Sequence, residues 1–430
     1  MRPHVVVIHR WRARYAEYEH YIDHRENAVS YITTEVGASS VTPLAAAVAL
    51  VAATDDQRAV GERIHDLVAD LGKPAAIIAL KEDDLLVAAR LRTEWGCSGP
   101  TEAELLPFRD KLLMARAVAA AGVAVPAFAE VHGVGDVRDF GARHGWPVIV
   151  KPCIGSSSAG VVHLSGPEDC SALDFSEPVL AQAYDPRQIY HVDGYFDGSS
   201  FGPFRASRYL NTTPLGFRAG TCLGSVEEDD PRLAAAIGEF GSRALAALTD
   251  QPTVFHLEVF ADRETGSCAF LEVGARVGGG EIPFVWREIH GYDLMEAGFR
   301  LGLGLEPRRW PGVLARGAGG GGGGGGGSGA RADVGAEVAE GGAEVGGFLL
   351  VPAPATRPCR ITAVTSMLAR DPGPYAEALL TAGEILPAAD AYYEHVGGRF
   401  RFRGPTAAEV EAAIIGTARD FRVSAEAVGG

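Results

Sequence analysis

The stretch Phe255-His256-Leu257-Glu258-Val259-Phe260, followed at Phe270-Leu271-Glu272-Val273-Gly274-Ala275-Arg276 by a second run of the same kind, reads as a β-hairpin. Both runs are rich in branched and aromatic residues, and Asp262–Gly266 between them supplies turn formers. Side chains alternate along a strand, so His256, Glu258 and Phe260 share one face of the first strand, and Glu272, Gly274 and Arg276 share one face of the second. With the hairpin symmetric about Thr265, Glu258 lies directly opposite Glu272, the Cβ atoms about 5 Å apart. Two carboxylates so placed repel, and a cation between them removes the cost. Mg2+ suits, because it takes one or two carboxylates and fills its other positions with water and phosphate oxygens. Arg276, two pleats on, then reaches the far side of a phosphoryl group. A solvent-facing pair of glutamates is the other reading of the same residues.

Upstream, Pro147-Val148-Ile149-Val150-Lys151-Pro152 is a buried strand that delivers an ammonium to the edge of its sheet. The loop after it, Gly155-Ser156-Ser157-Ser158-Ala159-Gly160, can turn backbone N–H groups and hydroxyls onto an anion. It differs from a Walker A loop, in which the lysine follows the glycines. Further upstream, Phe108-Arg109-Asp110-Lys111 opens a helix predicted to run to Ala121 and stop at Gly122. A lysine in a first turn opposes the helix dipole, which a nearby anion would offset; plain exposure is the alternative.

Around these segments, Val5–Ile8 and Ala75–Leu80 read as strands, and 57–71 and 83–95 carry helical periodicity. That alternation predicts a small parallel α/β layer at residues 1–105. Thr101-Glu102-Ala103-Glu104 is a capping-box pattern. Residues 126–184 read as strand, helix (134–144), strand, loop, strand, short helix and strand, a compact lid inside a unit spanning 106–185. From 186 to 430 longer strands predominate, with helices at 231–248, 282–290, 292–303 and 407–422 and strands at 347–354 and 360–366. Residues 317–329 are almost pure glycine and are expected to form a flexible surface loop.

Composition narrows the function. The 39 Lys and Arg against 55 Asp and Glu give a formal charge of −16, which argues against a nucleic-acid partner. No apolar run is long enough to span a bilayer, and Met1–Trp11 reads as a first strand rather than a secretory signal. The six cysteines lack any C-x-x-C pair and read as reduced thiols of a cytoplasmic protein.

The order of these features, Lys111 at a helix start, Lys151 before a Gly/Ser loop, then paired-Glu strands ending in Arg276, resembles the ATP-grasp superfamily. Within it the order is most similar to the carboxylate–amine ligases, which include amino-acid (dipeptide) ligases. The resemblance covers roughly residues 79–303. It implies an α/β (α+β) ATP-grasp fold, with a preceding α/β layer, a lid and a C-terminal mixed-sheet domain. By the same resemblance Lys111 and Lys151 hold the ATP phosphates. The loop of Gly155, Ser156, Ser157, Ser158 and Gly160 closes over them, and Gln182, Ala183 and Tyr184 form the hinge that meets adenine. Glu258 and Glu272 bind Mg2+, with Mn2+ as a substitute. Arg276, together with Lys151, steadies the transferred phosphoryl and acyl groups. Tyr190–Gly194 is similar to a segment that follows the hinge in these ligases.

The chain departs from the pattern twice. Gly274 stands where the family often has an Asn metal ligand, and Gln182 and Ile189 stand where hinge and ribose acids are usual. The implied reaction activates a carboxylate as an acyl phosphate and couples it to an amine, releasing ADP and phosphate. The N–H groups of Gly279 and Gly280 would meet the oxyanion. Glu281 would receive the ammonium, or else simply open a helix. The resemblance leaves room for thiol or bicarbonate chemistry and for nucleotide binding without catalysis. Partners are small-molecule carboxylates and amines. A homodimer fits the resemblance, although no apolar stripe demands one.

Overall fold

The computed structural model describes residues 2–12, 15–210, 214–310, 344–388 and 395–428. The glycine tract 317–329 lies outside the described residues.

The N-terminal layer is a parallel sheet in the order Ala47–Leu50, Ala28–Thr33, His4–His9, Pro74–Ala79. Helices Gln57–Leu71 and Leu85–Trp95 fall where periodicity places them, the first capped by the Asp56 carboxylate, which accepts from Ala59 N. The first strand is buried on both faces, as parallel strands generally are. Val6 and Ile8 pack with Ile32, Ile64 and Leu91. Val5 and Val7 join Tyr31, Ile78, Met295 and Phe299, and so weld this layer to the rest of the molecule.

The Thr101–Glu104 capping box forms as read. The helix expected from Phe108 starts three residues later, at Lys111–Ala120, because Leu106–Phe108 makes a 3₁₀ turn and Asp110 takes the cap by accepting from Leu112 N and Leu113 N. The lid is an antiparallel sheet in the order Phe128–Val131, Val179–Ala183, Val148–Pro152, Val162–Leu164. Helix Val134–His144 seals one face through Val137 and Phe140.

The C-terminal region is built on an eight-stranded antiparallel sheet. Its order is Cys268–Gly274, Thr253–Ala261, Gln188–Phe196, Phe201–Leu210, Leu223–Glu227, Val345–Pro352, Val396–Gly404, Ala376–Leu379. Helix Pro231–Ala246 covers one end of it with an apolar stripe. Helix Ala407–Asp420 covers the other, next to a small sheet of Ile385–Leu386, Cys359–Val364 and Val423–Ala427. All six cysteines are free. No helix among the described residues is long and apolar enough to cross a membrane.

Candidate active site

A cavity of about 560 Å3 opens where the N-terminal layer, the lid loop and the large sheet meet. Glu258, Glu272 and Arg276 line it, with Glu82, Asp83 and Ser156–Ser158.

The hairpin pairs as expected at its upper end, with His256 opposite Gly274 and Glu258 opposite Glu272. It is not symmetric about Thr265 throughout. Beyond Glu258 the register slips by one, so that Val259 pairs with Phe270 and Ala261 with Cys268, leaving Leu271 as an extra residue. The turn explains the slip. Asp262 Oδ1 accepts from Glu264 N and Thr265 N, and Gly266 takes φ +72°, which closes the hairpin half a residue away from the centre the glutamates require. A β-bulge reconciles the two.

The two carboxylates differ electrically. Glu258 is buried, and its Oε1 accepts from Tyr209 Oη at 2.7 Å. Burial, and then the charge of Glu272, push its pKa up. Burial also works against ionised Glu272, but Lys111 and Lys151 outweigh it and hold that carboxylate below its usual range. Lys111 Nζ stands 3.8 Å from Glu272 Oε2. Lys151 is not at an edge. Its strand is an inner one, flanked by Val162–Leu164 and Val179–Ala183, and the residue is 3% exposed. Burial pulls its pKa down while Glu272 pulls it up. The repulsion that the sequence assigned to a metal alone is therefore partly met by two lysines.

Arg276 reaches Glu82 rather than open space, its Nε donating to Oε2 at 2.7 Å. Arg109 Nη1 meets the other oxygen of Glu82 at 2.6 Å. A Cβ built on Gly274 would stand 3.4 Å from both Glu82 oxygens. The space that a side chain at 274 would fill thus borders the Glu82 carboxylate, and an amide there would compete for it. Glu82 escaped sequence reasoning. The available signal was an acid just past the carboxyl end of a parallel strand, where open α/β sheets present their ligand-binding groups.

Lys111 Nζ also donates to Gly155 O at 3.0 Å, and Lys111 N to Cys153 O, tying the helix start to the Gly/Ser loop. Ser157 and Ser158 adopt φ of 55° and 57°, a left-handed conformation that side chains disfavour. The loop is held over the cavity from two sides: Ser157 O accepts from Arg218 Nε at 3.2 Å, and Ser156 hydrogen-bonds Asp83. At the hinge Gln182 is buried and Tyr184 exposed. The N–H groups of Ala183 and Tyr184 already donate to Ala127 O and Pro147 O.

The segment Tyr190–Gly194 supplies a buried support. Asp193 bridges His191 Nδ1 at 2.6 Å and His256 Nδ1 at 2.8 Å, and His191 Nε2 meets Ser225 Oγ at 2.6 Å. Burial opposes the Asp193 charge, but the two imidazoles hold its pKa far below the ordinary value. The three ligand atoms lie within 4.8 Å of one another, and the hydrogen bonds account for that closeness. Gly278 packs against this group: a Cβ there would stand 2.4 Å from Asp193 Oδ1 and 2.7 Å from His256 Nδ1, so only glycine fits. Gly279 and Gly280 line the cavity. Glu281 does not present itself to an ammonium. It is buried between Arg399 (3.2 Å) and Arg401 (3.5 Å), two arginines on the strand Val396–Gly404 that sequence reading missed.

No family model matches the sequence. Over 245 residues the chain is 26% identical to the L-arginine-specific L-amino acid ligase of Bacillus subtilis. That match covers 54% of this chain and 58% of the relative, so it spans little more than half of the relative's length. The L-amino acid ligase of Bacillus licheniformis aligns with a TM-score of 0.72 and 14% identity, covering 98% of both chains. A carboxyaminoimidazole ribonucleotide synthase from Aspergillus clavatus, solved with ATP, gives 0.66 and 12%, covering 98% of this chain and 99% of the other. The biotin carboxylase domain of Hydrogenobacter thermophilus 2-oxoglutarate carboxylase, solved with MgADP, ADP and bicarbonate, gives 0.65 and 16%, covering 99% and 91%. At these identities the structural likeness establishes the fold.

Proposed function

We propose that this chain, which has the ATP-grasp fold, is an ATP-dependent carboxylate–amine ligase acting on amino acids. One observation carries the reading. Two opposed carboxylates, Glu258 and Glu272, line one cavity with Arg276, and Lys111 and Lys151, from two further segments, bring their charges to bear on Glu272.

In this reading Lys111 and Lys151 draw the phosphate chain of ATP toward Glu272, and the Gly155–Gly160 loop covers it. The donor sets of Glu258 and Glu272 fit a hard divalent cation. Mg2+, for which Mn2+ can substitute, would neutralise β- and γ-phosphate oxygens there. A substrate carboxylate oxygen attacks the γ-phosphorus, the bond to ADP breaks, and an acyl phosphate forms. Arg276 leans across the reacting groups and balances their charge. The amine nitrogen then attacks the acyl carbon. The oxyanion faces the N–H groups of Gly279 and Gly280, and collapse expels phosphate as the nitrogen loses a proton. The covering loop keeps water from the acyl phosphate.

Gln182–Tyr184 would receive adenine at the exposed end of the hinge strand. Residues 1–105, 106–185 and 186–430 are taken as the three working units. A cytoplasmic location and a homodimer belong to the same reading, and neither is needed for the chemistry.

The test is phosphate release from ATP and Mg2+ with a pool of amino acids, and identification of the product by mass. Release no faster than with ATP alone, or an acyl product on a thiol, would overturn the ligase reading.

A further inference from the structure

Past the reacting groups the cavity continues into an apolar chamber. Phe348 and Leu350, two apart on Val345–Pro352, form its floor. Leu223 pairs directly with Leu350 from the neighbouring strand, and Ile282 and Met295 close one side. The glycine turn after Arg276 connects this chamber to the chemistry. A Cβ on Gly280 would touch Phe348 and Leu350 at 3.4 and 3.5 Å, whereas one on Gly279 would meet nothing within 4 Å.

The acidic lining residues are already engaged. Glu82 is bound by Arg276 and Arg109, Asp83 by Lys81 and Arg109, Glu272 by Lys111, and Glu384 by Arg12. Glu258 is tied to Tyr209 beside the proposed cation site. A guanidinium or ammonium side chain entering the chamber would find only apolar floor and carboxylates committed elsewhere. The cationic lining residues are likewise paired, Arg12 with Glu384, Lys81 with Asp83, Arg276 with Glu82 and Arg399 with Glu281, so an acidic side chain would find no uncommitted counter-charge among the described residues. Burying an unpaired charge is costly, while burying apolar surface is favourable.

Resting on the ligase reading above, we infer that the activated carboxylate belongs to an amino acid with a large, uncharged apolar side chain, of the leucine, methionine or phenylalanine kind. That side chain lies over Leu223, Phe348 and Leu350.

Hydroxylamine in place of the amine traps acyl phosphates as hydroxamates, so the full-length protein with MgATP can be scored against each amino acid without knowing the acceptor. Leucine, methionine or phenylalanine should give at least about tenfold more hydroxamate than arginine, lysine or glutamate at equal concentration. Arginine or glutamate matching the apolar set would overturn the inference. Leu350→Asp should lower the leucine signal and raise that of arginine. Should that variant not fold, Phe348→Ala, which deepens the chamber, should shift preference toward tryptophan; an unchanged profile counts against the assignment. If no amino acid yields hydroxamate, the ligase reading fails separately. The chamber is then judged by quenching of tryptophan fluorescence, since Trp11 lines the cavity, with a non-hydrolysable ATP analogue present. Leucine binding more tightly than arginine upholds the inference, and the reverse sinks it.

Discussion

Glu258 and Glu272 face each other across one rung of a ladder, yet their surroundings pull them apart. Glu258 bears the cost of burial and of its neighbour's charge, while Glu272 is compensated by Lys111 and Lys151. Amide substitution should therefore act differently at the two positions. Glu258→Gln removes the less favourable charge and keeps an oxygen for Tyr209, so the metal-free melting temperature should hold or rise. Glu272→Gln strips two lysines of their counter-charge and should lower it. Both should abolish ATP turnover. Parallel thermal melts and phosphate assays check this, and near-normal turnover in either variant would remove that glutamate from the metal site. The pairing itself was legible because strand periodicity and turn residues are local. The asymmetry was not, because the lysines come from 161 and 121 positions upstream of Glu272.

His9, at the end of the first strand, supplies a second test at this scale. It is buried against Tyr18 and Ser40, and burial pushes its pKa down to about 4 from 6.5 despite hydrogen bonds that raise it. As pH falls, the unfolded chain takes the proton first. The stability that His9 contributes is thus whole above pH 6.5 and drains away toward pH 4, by about 3 kcal/mol. Melting temperature followed from pH 7.5 to 4 should fall through that window, and His9→Gln should flatten the slope. An unaltered slope would mean other groups set the acid limit.

Among the elements, those with strong local signals matched closely. Gln57–Leu71 and Val134–His144 fall on the residues read for them, because periodicity is backed at the ends by the Asp56 cap and Gly72 in the first and by Gly133 and Gly145 in the second. Ala28–Thr33, Ala47–Leu50 and Val396–Gly404 were missed. The last alternates Arg399, Arg401 and Arg403 with glycine and phenylalanine, and its sense becomes clear only when Glu281 and Glu288 face it from a helix more than a hundred residues away. A charge whose partner is distant in sequence looks like solvent-facing polarity. Lys151 shows the opposite case, an ammonium carried inward by an apolar strand. Lys151→Ala should weaken ATP binding by about ten- to a hundredfold while leaving the apparent affinity for the amine nearly unchanged. Calorimetric titration of parent and variant with nucleotide decides, and a change under about twofold would remove Lys151 from the site.

Across the whole molecule, the N-terminal layer and the Glu258/Glu272 hairpin meet, among the described residues, at a charged point. Glu82 sits just past the layer's last strand and binds Arg276 of the hairpin and Arg109 ahead of the lid. Burial alone would disfavour its charge, but Arg276, Arg109 and Lys111 hold its pKa below the ordinary value. Glu82→Gln keeps the shape and deletes the charge, leaving two largely buried guanidinium groups uncompensated. Fully buried pairs broken in this way lose about 3–5 kcal/mol, and the partial exposure of Arg276 discounts the figure to about 2–3 kcal/mol. Denaturant titration without ligands should record that loss. Tight nucleotide binding should survive, because no lysine has moved. The paired comparison is what discriminates: Glu258→Gln, at the same cavity, should cost nothing. If both substitutions leave stability untouched, the contact between layer and hairpin is incidental, and the cavity is held together by the shared apolar core of Val5, Val7, Met295 and Phe299 instead.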